Sequence, residues 1–271
     1  MTGEGENVPE QLLITGASGR IGALIRPLLR RPDRRLRLLD PVTPADLVPG
    51  EEHLAASITD ARAMAAACAG ADLVVHLGGL SKDRPWPEIL DANINGTQIT
   101  LEAARTAGVR RVLLASSAHA VGMTPAIRAA DADVLPPRPD TFYGVGKVAA
   151  EALASVYADR YAMTIVSARI GTVEAEPGGV RSLSTWLSPA DMVRLVEAAL
   201  RLDEPGHHIV NAISRNTRRW MTLAAGERIG YHPEDDAEDW ALLYPDAGPT
   251  DPREMLGGAW AVSTEPLGTT L

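Results

Sequence analysis

The chain has 271 residues, 45% hydrophobic and 23% charged, with a formal net charge of -9. That length suits one large domain, and the composition is that of a soluble globular protein. The acidic balance argues against a nucleic-acid surface or a polybasic membrane patch, although one arginine in a pocket is enough to hold an anionic substrate. A lone cysteine, Cys68, cannot close an internal disulfide and fits a reducing, cytoplasmic setting. The polar, acidic residues 1–7 read as neither signal nor transit peptide, and no apolar run reaches membrane-spanning length.

Strand-like and helix-like stretches alternate from residue 11 to about 213. Gln11-Leu12-Leu13-Ile14-Thr15 reads as a buried strand that runs into glycines, followed by a helix over 20–30 that stops at Pro32. A strand over 36–40, an alanine-rich helix over 60–69 and a strand over 71–77 come next. A long helix is predicted over 88–107, closed by Gly108, and then a strand over 111–117. The helix carrying Tyr143 runs to about Tyr161, with a strand over 164–170 behind it. Ser188-Pro189-Ala190-Asp191 combines a capping serine, a first-position proline and a first-turn acid, so a helix extends to about Leu202. Residues 208–212 suit a last strand, and the proline-rich tail beyond 230 carries aromatic residues that can pack back on the core. This alternation predicts an α/β fold, a Rossmann-like doubly wound parallel sheet covered on both faces. With no repeat or low-complexity linker, residues 1–271 form a single domain, its substrate-binding elements mainly in 171–271.

Gly16-Ala17-Ser18-Gly19-Arg20-Ile21-Gly22 directly follows the first strand and opens the first helix. Glycines there let the backbone approach a pyrophosphate at the helix N-terminus. The G-x-x-G-x-x-G spacing is weak alone, and its placement after a strand makes it a dinucleotide loop. Asp40 ends the second strand, where a carboxylate accepts both ribose hydroxyls and repels a 2′-phosphate, which points to NAD. A turn-forming aspartate before Pro41 is the competing reading.

Tyr143 and Lys147 stand four apart on a helix and so share a face; Lys147 is one of only two lysines. An adjacent cation favours the phenolate and lowers its pKa, so that the phenol can take a proton from an alcohol. Ser116 and Ser117 end a strand at the same sheet edge. Serine to orient an oxygen, tyrosine to move its proton and lysine to hold a ribose make a hydride-transfer site, with Ser117, Tyr143 and Lys147 as its catalytic residues.

With these features in place, the chain resembles the extended short-chain dehydrogenase/reductases, and within them the NAD-dependent uronate dehydrogenases. The likeness lies in His76-Leu77-Gly78-Gly79-Leu80-Ser81, Ala115-Ser116-Ser117-Ala118-His119, Arg138-Pro139-Asp140, Arg169-Ile170-Gly171 and Arg181-Ser182-Leu183-Ser184-Thr185-Trp186. Gly230-Tyr231-His232-Pro233 extends it into the tail. The resemblance implies oxidation of the anomeric carbon of glucuronate or galacturonate to a lactone. It also implies NAD contacts from Gly16, Ser18, Gly19, Arg20, Ile21, Gly22, Asp40, Ser57, Ile58, Leu77, Gly78, Gly79, Asn93, Tyr143, Lys147 and Ile170. Ser81, Ser117, His119, Tyr143 and Thr172 would face the sugar, and Arg181 would clamp its carboxylate.

Three positions depart from the family pattern. Ala118 stands where asparagine is usual, Thr172 where serine is, and Ser57 where an aspartate contacts adenine. Losing a polar partner to a substrate hydroxyl changes discrimination. A ketoreductase, a nucleotide-sugar epimerase or dehydratase, or a non-catalytic dinucleotide sensor therefore stand as alternatives. His207, His208 and His232 lack partners at ligand spacing, so no metal is expected. The resemblance further implies a homo-oligomer paired through the two long helices, whose small residues Ala149, Ala150, Ala152 and Ala154 permit close approach.

Overall fold

A computed structural model describes residues 9–130, 132–245, 251 and 253–269; the acidic start over 1–7 lies outside the described residues. The first half runs β1 (Glu10–Thr15), α1 (Arg20–Leu29), β2 (Arg34–Leu39), β3 (Glu51–Leu54), α2 (Ala61–Cys68) and β4 (Leu73–His76). Next come α3 (Trp86–Ile89), a π-helical stretch (Leu90–Asn95), α4 (Gly96–Thr106), β5 (Arg111–Ser117), a 3-10 turn (Ala118–Val121) and α5 (Ala126–Ala129). The remainder is α6 (Phe142–Tyr161), β6 (Thr164–Ile170), β7 (Thr172–Val173), α7 (Ser182–Thr185), β8 (Trp186–Leu187), α8 (Pro189–Arg201), β9 (Gly206–Ala212), α9 (Ala224–Arg228), a 3-10 stretch (Ala237–Leu243) and α10 (Ala259–Val262).

Seven strands form one sheet in the order β3-β2-β1-β4-β5-β6-β9, every pairing parallel. This is the doubly wound arrangement that the β-α alternation predicts. Both faces are covered, as the period-two pattern of β1 shows: Leu12 and Ile14 join one apolar cluster with Ile25, Leu29 and Leu195, and Leu13 joins the other with Met64, Leu101 and Ala154. All strands run the same way, so Thr15, His76, Ser117 and Ile170 end on one edge, where the loops gather.

Several short elements, among them α5, β7, α7, β8, α9 and α10, are not expected from sequence, and two further differences bear on the sheet and the site. β3 has the sequence Glu-Glu-His-Leu, with no apolar run to announce it, and it forms as an edge strand by pairing Leu36 with Glu51. The helix predicted over 88–107 begins at Trp86 and is interrupted by the π-helical stretch, a widening that often marks functional positions.

Candidate active site

The turn after β1 is built for backbone approach. Gly16 sits at φ +67, a conformation that glycine tolerates best, and a Cβ there would come within 2.8 Å of Gly78 N. A Cβ at Gly22 would lie 2.5 Å from Ala17 O, so the first turn of α1 is seated directly on the loop. Gly78 in turn packs on buried Ile58. Gly19 is the N-cap of α1 and makes no side-chain cap bond, which leaves that helix end to its backbone N–H groups. At the end of β2, the Asp40 carboxylate accepts hydrogen bonds from Ser18 N at 3.0 Å and Val42 N at 2.9 Å. It stands beside the glycine loop, where the sequence places a ribose-binding acid. These features fit a dinucleotide: glycine-lined backbone, a helix N-terminus and a carboxylate at the tip of the second strand.

Other expected cofactor positions behave differently. Arg20 is exposed and reaches Glu174 at 3.5 Å. Ser57 bonds Thr59 Oγ1 at 2.8 Å within its own turn. Ile21 packs half-buried on the core, and Ile170 is buried at the end of β6. Asn93, on the π-helical stretch, accepts from Leu80 N at 2.8 Å and donates to Leu80 O at 3.0 Å. It thereby clamps the loop that carries Leu77, Gly78 and Gly79.

Ser117, Tyr143 and Lys147 meet at the sheet edge. Thr141 caps α6 through Gly144 N, and buried Asp83 accepts a hydrogen bond from Tyr143 N at 3.0 Å. Burial pushes the Tyr143 phenol up to about 12; a hydrogen bond with Ser117 draws it down, the Asp140 charge raises it and Arg20 lowers it. Lys147 Nζ donates to Ala115 O at 2.6 Å and lies 5.4 Å from the centre of the Tyr143 ring. Burial lowers the Lys147 ammonium to about 8, against an upward pull from Glu151. The sequence-based expectation of a depressed tyrosine pKa is therefore reversed in the protein alone, because desolvation of the phenolate outweighs the Ser117 hydrogen bond and the Arg20 charge.

Beyond the phenol lies a polar wall that the tail completes. His119 Nδ1 is 2.7 Å from Asp140 Oδ2, and its ring stacks on Trp260 with centroids 4.2 Å apart. Trp260, on α10, meets Tyr143 edge-on at 5.9 Å. Arg181 bonds Thr185 Oγ1 at 3.3 Å and the carbonyl of Leu256, while its Nε is buried with no partner. No carboxylate among the described residues pairs with it, and burial lowers its pKa. Thr172 Oγ1 lies 3.3 Å from Thr185 Oγ1, which joins it to the Arg181 group. Ser81 is exposed beyond the Leu80 loop, and Ala118 is buried and offers the cleft no polar atom. Asp83, Asp140 and Trp260 were not singled out from sequence. Asp140 stood in a quoted motif, but nothing linear links it to His119 or the tail.

A catalytic edge of this kind on a doubly wound sheet defines a class, and comparison agrees. The chain belongs to the NAD dependent epimerase/dehydratase family, whose model matches residues 12–187. At full length it is 38% identical to a uronate dehydrogenase of Pseudomonas syringae pv. tomato over 263 residues, 95% of each chain. Among solved structures, glucuronic acid dehydrogenase from Chromohalobacter salexigens superposes with a TM-score of 0.87 at 35% identity, covering 94% of this chain and 97% of that one. A mutant uronate dehydrogenase from Agrobacterium tumefaciens complexed with NAD gives a TM-score of 0.86 at 35% identity, with 94% and 97% covered.

Proposed function

We propose that this chain is an NAD-dependent dehydrogenase that oxidises the anomeric carbon of a uronic acid, glucuronate or galacturonate, to its lactone. The observation that carries the substrate class is Arg181: a half-buried arginine whose Nε is buried without a partner, paired with no described carboxylate and packed against Gly258 of the tail. A carboxylate-bearing sugar would supply the charge-assisted partner this group lacks. The full-length likeness to uronate dehydrogenases supports the same reading.

NAD, when bound, supplies the hydride acceptor, and the glycine loop, Asp40 and Lys147 are the residues that would hold it. Ser117 orients the anomeric hydroxyl, and Tyr143 receives its proton as the C–H bond breaks, so that a hemiacetal becomes a lactone. Lys147 keeps a positive charge next to the phenol and favours its ionised form. Asn93 fixes the Leu80 loop. The protein acts on a small molecule, works in a reducing, cytoplasmic compartment and assembles as a homo-oligomer. In the structure Ala150 and Ala154 are buried within the chain, while Ala152 is exposed and Ala149 half-buried, so the last two remain for a partner helix.

A panel of glucuronate, galacturonate and neutral aldoses, read by NADH absorbance, tests the substrate. Arg181→Met should raise KM for uronates by roughly 10- to 100-fold, the value of a charge-assisted hydrogen bond, and leave neutral aldoses unaffected. An unchanged KM for uronates in Arg181→Met, or an equal loss on uronates and neutral aldoses, would remove the sugar-acid reading.

A further inference from the structure

Asp140 has no exposed side-chain surface, although it lies beside the cleft. Three glycines from separate segments make room for it. A Cβ at Gly122 or at Gly257 would overlap Asp140 Oδ2, and one at Gly144 would lie 3.1 Å from Oδ1. None of the three has a positive φ, so packing and not backbone conformation excludes a side chain there: Asp140 itself at Gly122 and Gly257, and first the His119 carbonyl, 2.5 Å away, at Gly144. The carboxylate has two side-chain donors, the Thr141 hydroxyl at 3.1 Å and His119 Nδ1 at 2.7 Å. Burying a carboxylate with so few partners is unfavourable. Its charge also raises the Tyr143 pKa, opposite to what proton abstraction requires.

A group so closely housed, and adverse to the phenol, acts through its other neighbour. His119 is 20% exposed, its ring plane is set by Trp260, and its Nε2 makes no hydrogen bond among the described residues. With Nδ1 protonated toward Asp140, Nε2 carries a lone pair. We infer that Asp140 is a positioning residue that holds His119 in the Nδ1–H tautomer and so makes Nε2 an acceptor for one ring hydroxyl of the substrate. Ala118 adds no polar atom on that side, which leaves discrimination there to the imidazole. The inference rests on the proposed sugar substrate, but its tautomer half stands apart from it.

The test uses the full chain with nitrogen-15-labelled histidine at alkaline pH, His119 being assigned by loss of its signals in His119→Gln. Nitrogen shifts should report a protonated Nδ1 and an unprotonated Nε2. Asp140→Asn should move the proton wholly or partly to Nε2. Gly257→Ala, which keeps Asp140 but displaces it, should produce the same change even if Asp140→Asn does not fold. In kinetics, Asp140→Asn should lower kcat/KM about 10- to 100-fold, and that penalty should shrink below about twofold for one monodeoxy analogue of the substrate. An unchanged tautomer in the variants, or the same penalty for every deoxy analogue, would overturn the inference. Failure of all uronates as substrates would reject the functional reading, while the nitrogen shifts would still decide the tautomer.

Discussion

Tyr143 is a poor base in its own pocket. With burial holding the phenol near 12, the ionised form is scarce at neutrality, and the upward push exceeds the help from Ser117 and Arg20. Because the reactive form is the deprotonated one, kcat/KM for oxidation should climb with pH from about 6 to about 9 without a plateau. A plateau at neutral pH would show that the phenol is already ionised in the free enzyme. Tyr143→Phe should lower kcat by at least ~10²- to 10⁴-fold, the usual contribution of a positioned acid–base group. His76 gives a separate prediction about stability. It lies buried between Thr15 Oγ1 at 2.8 Å and Thr97 Oγ1 at 3.3 Å, and burial, aided by the Lys147 charge, lowers it to about 3. The unfolded chain therefore binds a proton below pH ~6.5 that the native protein refuses. Stability is whole above that pH and is lost as pH falls toward 3, on the order of 3 kcal/mol by pH 4. Urea midpoints between pH 7 and pH 4 should fall less steeply in His76→Gln than in the natural chain.

At the scale of elements, α6 is fixed to the sheet by one buried ionic group. Arg169 on β6 donates to Glu151 from Nε at 2.9 Å and Nη2 at 2.7 Å, and Ser116 on β5 donates to the same carboxylate at 2.5 Å. Removing one partner strands a charge, so Arg169→Met should destabilise the fold by about 3–5 kcal/mol, measured as a lowered urea midpoint. Sequence made this scaffold legible where local chemistry dominates. The apolar run of β1, the glycines behind it and the Ser188 cap each specify their structure within a few residues. β3 was invisible because its charged residues take strand form only through pairing with β2. The π-helical stretch was equally hidden, since no composition rule distinguishes it from the α-helix it interrupts. Asp83 carries no signal in the linear sequence, because it accepts from Tyr143 N and from Gly268 N at 2.7 Å, partners 60 and 185 residues away. From sequence Trp260 is one more packing aromatic of the tail, because its neighbours His119 and Tyr143 are defined by tertiary folding alone.

For the whole molecule, the N-terminal loop and the C-terminal tail come to one sheet edge from opposite ends of the chain. The glycine loop and Asp40 depend on β1, α1 and β2, whereas Trp260 and the Leu256 carbonyl reach the cleft from the end of the chain. Truncation after residue 250 should therefore preserve NAD binding by calorimetry while turnover is lost; loss of both would show that the tail supports the whole fold. Asp40→Ala should relax the preference for NAD over NADP by removing the charge that repels a 2′-phosphate, as a ratio of kcat/KM values will show. The most direct measurement is NADH formation by purified protein given NAD and either glucuronate or galacturonate, with Tyr143→Phe run in parallel. The structure predicts lactone and NADH in equal amounts from the natural chain and almost none from the variant. NAD binding without NADH from any uronate, or undiminished turnover by Tyr143→Phe, would contradict it.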